Sequence, residues 1–287
     1  MRQRTIGHPV VVSGIGLHSG SACTVELRPS GPGTGIRLFD LTAPTAPPIP
    51  VHVAQVTGTR LATTLSHQGR SVQTVEHLLS AVRGLGVDNL DLWVSGPEIP
   101  VMDGSAAPFA AAIHRAGVVE QQAGRTVLVV DRPVRIEEGP SWIEARPSEA
   151  LELQLSIDFD HPLVGEQSLC LTLTAGVFEA ELQWARTFGF ERDVAAMKRM
   201  GLIGGGSLDN ALVFTSDGLL NEGGLRQPDE PVRHKAVDML GDLALLGHPV
   251  RGCFRGHRAG HSQVIALVRA LLADEKAWHL ETSALAP

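Results

Sequence analysis

Cysteine is scarce in this sequence, and no long apolar run interrupts it. The 287 residues include three cysteines, Cys23, Cys170 and Cys253, which are far apart and odd in number. That spacing is not a disulfide framework and is more typical of a reducing compartment. No stretch approaches the apolar length needed to cross a bilayer, so no integral membrane segment is expected.

A basic cluster and a signal peptide are also missing. The 24 Lys and Arg residues are interspersed with 31 acidic residues, which gives a formal net charge of -7. Without a basic patch, nucleic acid is not an expected partner. The N-terminal sequence MRQRTIGHPV lacks the apolar core of a signal peptide, so we expect a cytoplasmic protein.

The composition is that of a globular protein with enough material for two domains. The hydrophobic fraction is 43%, which allows a sizeable core, and the length corresponds to about two domains. Twelve histidines are many for such a chain. This number directs attention to possible metal ligands.

The first half alternates short strands with turns before two helices. Strands are predicted at 10–12, 24–27 and 88–94, with a turn at 31–35 and an irregular surface connection at 43–50. Apolar residues at 75, 78, 79 and 82 have helical spacing. Thr74 is the predicted N-cap of that helix, and Gly84 and Gly86 are predicted to end it. A second helix is predicted at 108–116.

The polar segment 120–126 is predicted to separate two domains, and the second half again begins with strands. These are predicted at 127–130, 134–136, 143–145, 151–157 and 250–254. The sequence ELRPS at 26–30 is similar to EARPS at 144–148, which suggests a duplication. A helix is predicted at 231–246, with Asp229 or Glu230 as its cap. Ser262 is predicted to cap a last helix at 263–272.

The helix at 231–246 carries a row of possible metal ligands. His234, Asp238 and Asp242 are spaced i, i+4 and i+8, so they drift by only about 40° per step and share one face. A His and an Asp one turn apart can chelate one cation. The alternative is an ordinary solvated helix face, which is the commoner explanation for such a row when the helix is considered alone.

Glu76 and His77 could complete a catalytic metal site. Catalytic zinc sites generally use three protein ligands and one open position, which His77, His234 and Asp238 would satisfy. Glu76 would then act as general base. The HExxH pattern is absent, which disfavours a zincin protease. His261 is a candidate general acid oriented by Asp242, although for this segment alone surface loop residues are the commoner explanation of His257 and His261.

Eight segments together resemble the UDP-3-O-acyl-N-acetylglucosamine deacetylases of lipid A biosynthesis. They occur in the family's order and cover nearly the whole chain: GIGLHSG (14–20), TVEHLLSA (74–81), PEIPVMDGSAAPF (97–109), ARTFGF (185–190), GGSLDN (205–210), LNEGGLR (220–226), VRHKAVDMLGDL (232–243) and GHRAGHS (256–262). Each motif alone is only modestly specific. Eight in the same order are highly specific.

The resemblance implies a role for each matching side chain. It implies His77, His234 and Asp238 as metal ligands, with Zn²⁺ as the cofactor and Fe²⁺ as the alternative. It implies Glu76 as general base and His261 as acid supported by Asp242. The remaining implied contacts are Thr187 as donor to the carbonyl oxygen, Lys235 as a further substrate contact, Phe188, Val194 and Val213 in an acyl-chain passage, and His18, Phe159 and His161 near the substrate groove.

The resemblance also implies an α+β fold of two similar domains with the active site between them. Each domain layers sheet on helices and carries a small insert. We expect the first domain at 1–122, with an insert around 38–60, and the second at 127–287, with an acyl-passage insert at about 182–215. The chain departs from some family members at Ala62-Thr63-Thr64-Leu65, where those members have a Cys-Thr-Cys-Leu run.

The implied reaction is zinc-dependent hydrolysis of the 2-acetamido group of UDP-3-O-(3-hydroxyacyl)-N-acetylglucosamine, which releases acetate. This is the committed step of lipid A biosynthesis, and the expected partner of the monomeric enzyme is this small-molecule substrate. Two alternatives remain at the level of sequence. One is a metal amidohydrolase that acts on a different N-acetylated sugar or a peptide. The other is a non-catalytic sugar-nucleotide or lipid-binding protein with a structural metal.

Overall fold

The computed structural model describes residues 1–284, and the first half of the chain forms ten strands and two helices. The helices are α1 (Glu76–Gly84) and α2 (Ala107–Ala116), with a 3-10 turn at Val53–Gln55. The strands are β1 (Arg2–Ile6), β2 (Val10–Ile15), β3 (Ala22–Pro29), β4 (Ile36–Asp40), β5 (Ile49–Pro50), β6 (Val56–Gly58), β7 (Thr64–His67), β8 (Arg70–Val72), β9 (Leu90–Ser95) and β10 (Val118–Gly124).

The second half, up to residue 284, forms nine strands and four helices. The helices are α3 (Ala175–Val177), α4 (Glu191–Arg199), α5 (Glu230–Leu243) and α6 (His261–Ala273), with a π turn at Phe178–Leu182 and a 3-10 turn at Ala244–Leu246. The strands are β11 (Thr126–Val130), β12 (Val134–Glu138), β13 (Ser141–Arg146), β14 (Leu151–Phe159), β15 (Gly165–Thr172), β16 (Phe188–Phe190), β17 (Leu212–Phe214), β18 (Val250–His257) and β19 (Trp278–Thr282).

The two halves have the same topology, which confirms the predicted α+β fold of two similar domains. The main sheet of the first half has the order β2-β3-β9-β4-β5, and the second half contains the equivalent series β12-β13-β18-β14-β15 within a seven-stranded sheet that β11 and β19 complete, β11 pairing in parallel with β18. Within each five-strand series only the third and fourth strands are parallel. The antiparallel pair β1–β10 corresponds to β11–β19. The two similar pentapeptides lie at the ends of β3 and β13, which are equivalent strands.

Helices α1 and α5 occupy equivalent places in the two halves and pack tightly against each other. Their apolar faces join the sheets in a continuous core, because Leu78, Leu79, Val237 and Leu240 are all buried. The approach is closest at Gly241, where a Cβ atom would lie only 2.1 Å from the carbonyl oxygen of Glu76. Glycine is therefore needed at this crossing, which brings the two predicted ligand-bearing helices together.

Several predicted boundaries differ from the structure. Thr74 does not cap α1, because its φ is +56° and its hydroxyl instead donates to the buried carboxylate of Glu98. Asp229 occupies the N-cap position of α5 but pairs with Arg233 instead of capping. Helix α6 begins at His261, with Gly260 as N-cap, whose N–H donates to Oε1 of Gln263 at 3.0 Å, so the Ser262 cap was wrong.

The small additional sheets also locate the inserts. The expected first insert at 38–60 was wrong, since β4 and β5 belong to the main sheet and the separate three-stranded sheet β6-β7-β8 follows them. In the second half β16 and β17 form a separate parallel pair flanking α4. The polar segment at 120–126 is mostly strand β10 rather than a loop. Among residues 1–284, no helix combines the length and apolarity required to cross a membrane.

Candidate metal centre and active site

Three predicted ligands converge where α1 packs against α5. The Nε2 atom of His234 lies 3.3 Å from Oδ1 of Asp238, and Nε2 of His77 lies 3.7 Å from the same oxygen. All three side chains are buried. Taken together, their ligand atoms lie within 4.8 Å of one another. The alternative explanation, an ordinary solvated helix face, is therefore excluded, because this face of α5 is covered by α1.

These distances fit a tetrahedral divalent cation. With metal–ligand bonds of about 2.0–2.2 Å, two ligand atoms of a tetrahedron lie about 3.3–3.6 Å apart. The two distances to Asp238 Oδ1, 3.3 Å and 3.7 Å, are close to that spacing. Two imidazole nitrogens and one carboxylate oxygen are donors that suit Zn²⁺ and Fe²⁺ alike. The structure thus has a cluster that can hold a metal ion, whose identity the donor set does not decide.

Neighbouring groups orient the ligands. The Nδ1 atom of His234 donates to the carbonyl oxygen of Ala185 at 3.0 Å, which leaves Nε2 as the lone-pair atom that faces the centre. Oδ2 of Asp238 accepts a hydrogen bond from the ammonium group of Lys235 at 2.8 Å, which leaves Oδ1 free to bind a cation. Burial disfavours the charged carboxylate, but His234 and Lys235 outweigh it, so the pKa of Asp238 lies well below its ordinary value.

Glu76 lies in the first turn of α1 and faces the same space as its neighbour His77. Its carboxylate is 2% exposed, and Oε2 accepts the backbone N–H of Thr63 at 3.1 Å. Oε1 lies 3.7 Å from Nε2 of His261. Burial raises the pKa of Glu76 above 4.5, although the nearby His261 and His77 oppose that shift. A carboxylate with a raised pKa is a stronger proton acceptor, as a general base requires.

His261, at the start of α6, forms a buried pair with Asp242 of α5. Its Nδ1 donates to Oδ2 of Asp242 at 2.7 Å. Burial would lower the pKa of this imidazole, but the charge and hydrogen bond of Asp242 outweigh it and raise the pKa to about 10. His261 is therefore not the loop residue that the sequence left as an alternative. It is positively charged near neutral pH and directs Nε2 towards Glu76.

A cavity of about 550 Å³ opens over these groups. Its polar end contains Glu76, His77 and Asp238, together with the predicted donor Thr187 and with Lys235. The rest of its wall is largely apolar and is formed mainly by the second insert: Phe188, Phe190, Val194, Met197, Ile203, Leu208, Val213 and Leu220. A polar reaction centre thus lies at one end of an apolar slot.

The predicted substrate contacts divide between this cavity and a neighbouring depression. His18, Phe188, Val194 and Val213 line the cavity. Phe159 and His161 do not; they line the adjacent depression with Arg258. Both nitrogens of His161 are already bound, Nε2 donating to the carbonyl of Thr215 and Nδ1 accepting from Leu163. The bond to Thr215 ties the β14–β15 turn, which carries His161, to the end of the second insert, and the bond from Leu163 lies within that turn.

Two buried carboxylates to which the sequence assigned no role at the site hold the segments around it. Glu98 accepts the backbone N–H groups of His18 and Ser19 and the hydroxyl of Thr74. Burial opposes its charge, but these hydrogen bonds lower the pKa of Glu98 below 4.5. In the second half Glu230 accepts from the backbone and guanidinium of Arg186, which fixes the segment that carries Thr187.

Comparison with known proteins agrees with this geometry. Residues 3–273 match the family model described as LpxC, UDP-3-O-acyl N-acetylglycosamine deacetylase. Proteins named UDP-3-O-acyl-N-acetylglucosamine deacetylase are similar over nearly the full length. That of Myxococcus xanthus is 44% identical over 97% of this chain and 88% of its own. Those of Acidithiobacillus ferrooxidans and Brucella melitensis are 44% and 42% identical over 97% of this chain, and over 92% and 98% of their own. The chain therefore belongs to the UDP-3-O-acyl N-acetylglycosamine deacetylase family.

Proposed function

We propose that this protein hydrolyses the 2-acetamido group of UDP-3-O-(3-hydroxyacyl)-N-acetylglucosamine and releases acetate, in a zinc-dependent reaction of lipid A biosynthesis. One observation carries the proposal. A cluster of two His and one Asp lies beside a buried carboxylate and a charged imidazole, at the polar end of an apolar slot. A purely structural metal site needs neither an acid nor a base at its side, which disfavours the non-catalytic alternative.

Glu76 is the proposed general base. His77, His234 and Asp238 would hold the cation, which supplies the positive charge that polarises the amide carbonyl and acidifies water. Glu76 would take a proton from the water that attacks the carbonyl carbon. The raised pKa of Glu76 supports this role, and the hydrogen bond from the Thr63 N–H to Oε2 leaves Oε1 as the accepting atom.

His261 is the proposed general acid. Its charge near neutral pH allows Nε2 to donate a proton to the nitrogen of the leaving amino sugar, while Asp242 holds Nδ1. Thr187 is the proposed hydroxyl donor to the developing oxyanion, and one such donor is typically worth about 3–4 kcal/mol. Lys235 contacts both Asp238 and the ring of Phe188, so it lies between the centre and the apolar wall.

The apolar part of the cavity is the proposed passage for the 3-O-acyl chain. Phe188, Val194 and Val213 line it together with Met197 and Ile203. No helix α4 side chain is fully buried, so this helix serves as a wall of the slot rather than as core. The acyl chain would cover that apolar surface, so an acylated substrate should be preferred over an acyl-free sugar nucleotide.

Metal analysis combined with an acetate-release assay tests the proposal. Purified protein should contain close to one zinc or iron per chain, and thorough chelation should abolish acetate release until metal is restored. Replacing Glu76 by Ala should lower kcat by orders of magnitude while the metal content stays unchanged, since Glu76 is not a ligand. The exposed Glu275 provides a matched Glu→Ala control that should retain full activity.

Three results would contradict the proposal. Undiminished hydrolysis after chelation would exclude the metal centre, and near-full activity of E76A would exclude the base. Equal kcat/KM for the acylated substrate and its acyl-free counterpart would exclude the role of the apolar slot and favour a different metal amidohydrolase.

A further inference from the structure

Thr63 is completely buried and directs all three of its polar groups towards the active site. Its N–H donates to Oε2 of Glu76 at 3.1 Å, and its hydroxyl donates to Oδ1 of Asp242 at 2.6 Å. Its carbonyl oxygen accepts the N–H of Val75, the residue immediately before Glu76, at 3.4 Å. Thr63 thus contacts the groups proposed as base and as partner of the acid.

We propose that Thr63 is a positioning residue that fixes Glu76 and the Asp242–His261 pair relative to each other. The inference deepens the proposed function and rests on it. Thr63 belongs to the first half of the chain, whereas Asp242 and His261 belong to the second. Its contacts therefore tie a base from one half to an acid from the other.

The contact with Asp242 determines which oxygen serves His261. Asp242 is 1% exposed, so each of its oxygens needs a protein donor. The Thr63 hydroxyl donates to Oδ1, and Nδ1 of His261 donates to Oδ2 at 2.7 Å. Without the hydroxyl, Oδ1 is left unsatisfied in a buried place, and the carboxylate can rotate to share both oxygens with the imidazole. Rotation would turn Nε2 away from the leaving group.

The identity of the side chain follows from the same geometry. A β-branched residue has a restricted χ1, so threonine holds its hydroxyl in one direction better than serine does. The hydroxyl also lies 3.3 Å from Nδ1 of His261, which is longer than the 2.7 Å between that nitrogen and Asp242. Thr63 therefore acts on His261 through Asp242 rather than directly.

Thr63→Val preserves the shape of the side chain and removes only the hydroxyl. We expect kcat to fall by about 10-fold or more with KM changed by less than about 2-fold, because one buried acceptor loses its donor. Thr63→Ser should recover activity to within about 3-fold of the wild type. Thr64→Val is the matched control, since the Thr64 side chain packs over Gly58 of the small sheet, and it should behave as the wild type.

A double-mutant cycle separates positioning from a merely structural role. If Thr63 acts through Asp242, then T63V should cost less than about 2-fold once Asp242→Asn is already present. T63A is measured in the same way and serves if T63V does not fold. Additive effects of T63V and D242N, wild-type kcat in T63V, or failure of T63S to recover activity would each overturn the proposal.

An NMR measurement keeps the test independent of turnover. The Nδ1–H proton of His261 is expected far downfield because of its short hydrogen bond to Asp242. T63V should move that resonance, whereas T64V should not. Inactive wild-type protein would refute the proposed function, while an unmoved resonance in T63V would refute the role of Thr63 alone.

Discussion

Replacing Gly241 by Ala is expected to force α1 and α5 apart at the metal centre. A Cβ atom at this position would lie 2.1 Å from the carbonyl oxygen of Glu76 and 2.8 Å from its Cα. Ordinary van der Waals contact requires 3.4 Å or more, so α1 must move by at least about 1.3 Å. The obstacle is backbone, so no side-chain rotation can relieve it.

The expected loss of stability is modest, while the loss of activity is large. Overpacking costs about 1–3 kcal/mol, and the higher helix propensity of alanine offsets about 1 kcal/mol of it. The displacement moves His77 and Glu76 together, and His77 Nε2 lies only 3.7 Å from Asp238 Oδ1. A shift of about 1 Å in a catalytic group can cost about 100-fold in rate. We therefore expect kcat/KM to fall about 100-fold and metal affinity to weaken.

Acetate release, metal titration and thermal unfolding would be measured side by side. Gly176→Ala is the matched control, because Gly176 lies in α3 and a Cβ atom there meets nothing within 4 Å. G176A should keep wild-type activity and metal affinity. Wild-type metal affinity and activity in G241A would show that the helix crossing does not set the ligand geometry, and would refute the reasoning.

Two further predictions concern the charged groups. The kcat/KM profile should fall as the pH rises towards about 10, where His261 loses its proton. In D242N this basic limb should move to lower pH. If rates measured from pH 6 to 11 show the same basic limb in D242N as in the wild type, the pairing of His261 with Asp242 is contradicted. Glu98→Gln should lower the free energy of unfolding by about 1–3 kcal/mol in denaturant titrations, because its amide N–H₂ would face the donors of His18 and Ser19. Unchanged stability would contradict this.

The regular elements and the ligand row were predictable because their information is local. Helical spacing alone placed His234, Asp238 and Asp242 on one face, and the structure has that helix at Glu230–Leu243. Local sequence did not show that the face is buried, since burial depends on α1 packing against it. The need for a third ligand suggested His77, the family resemblance supported it, and the structure brings it to the other two.

The features that sequence reasoning missed depend on distant partners. Threonine is a favoured N-cap residue, but the hydroxyl of Thr74 donates instead to the carboxylate of Glu98, 24 residues further on. The φ of Thr74 is +56°, which is not an N-cap conformation. The run that contains Thr63 was noted only for its missing cysteine, because nothing in its spacing points to Asp242, 179 residues further on. Glu230 suggests a helix cap, yet it binds Arg186 instead.

The duplication explains where the site lies and why both halves are needed. Helices α1 and α5 are equivalent elements, and their mutual packing closes the core between the halves. The ligands are distributed unequally, however: His77 comes from α1, while His234 and Asp238 come from α5. Helix α6 begins with His261, whereas its equivalent α2 begins with Ala107 and has no titratable group at its start. Neither half alone therefore contains both the proposed base and the proposed acid, or all three proposed ligands. A bound cation is consequently linked to the docking of the halves, and its stabilisation of the folded chain grows with the logarithm of the free cation concentration once that concentration exceeds Kd.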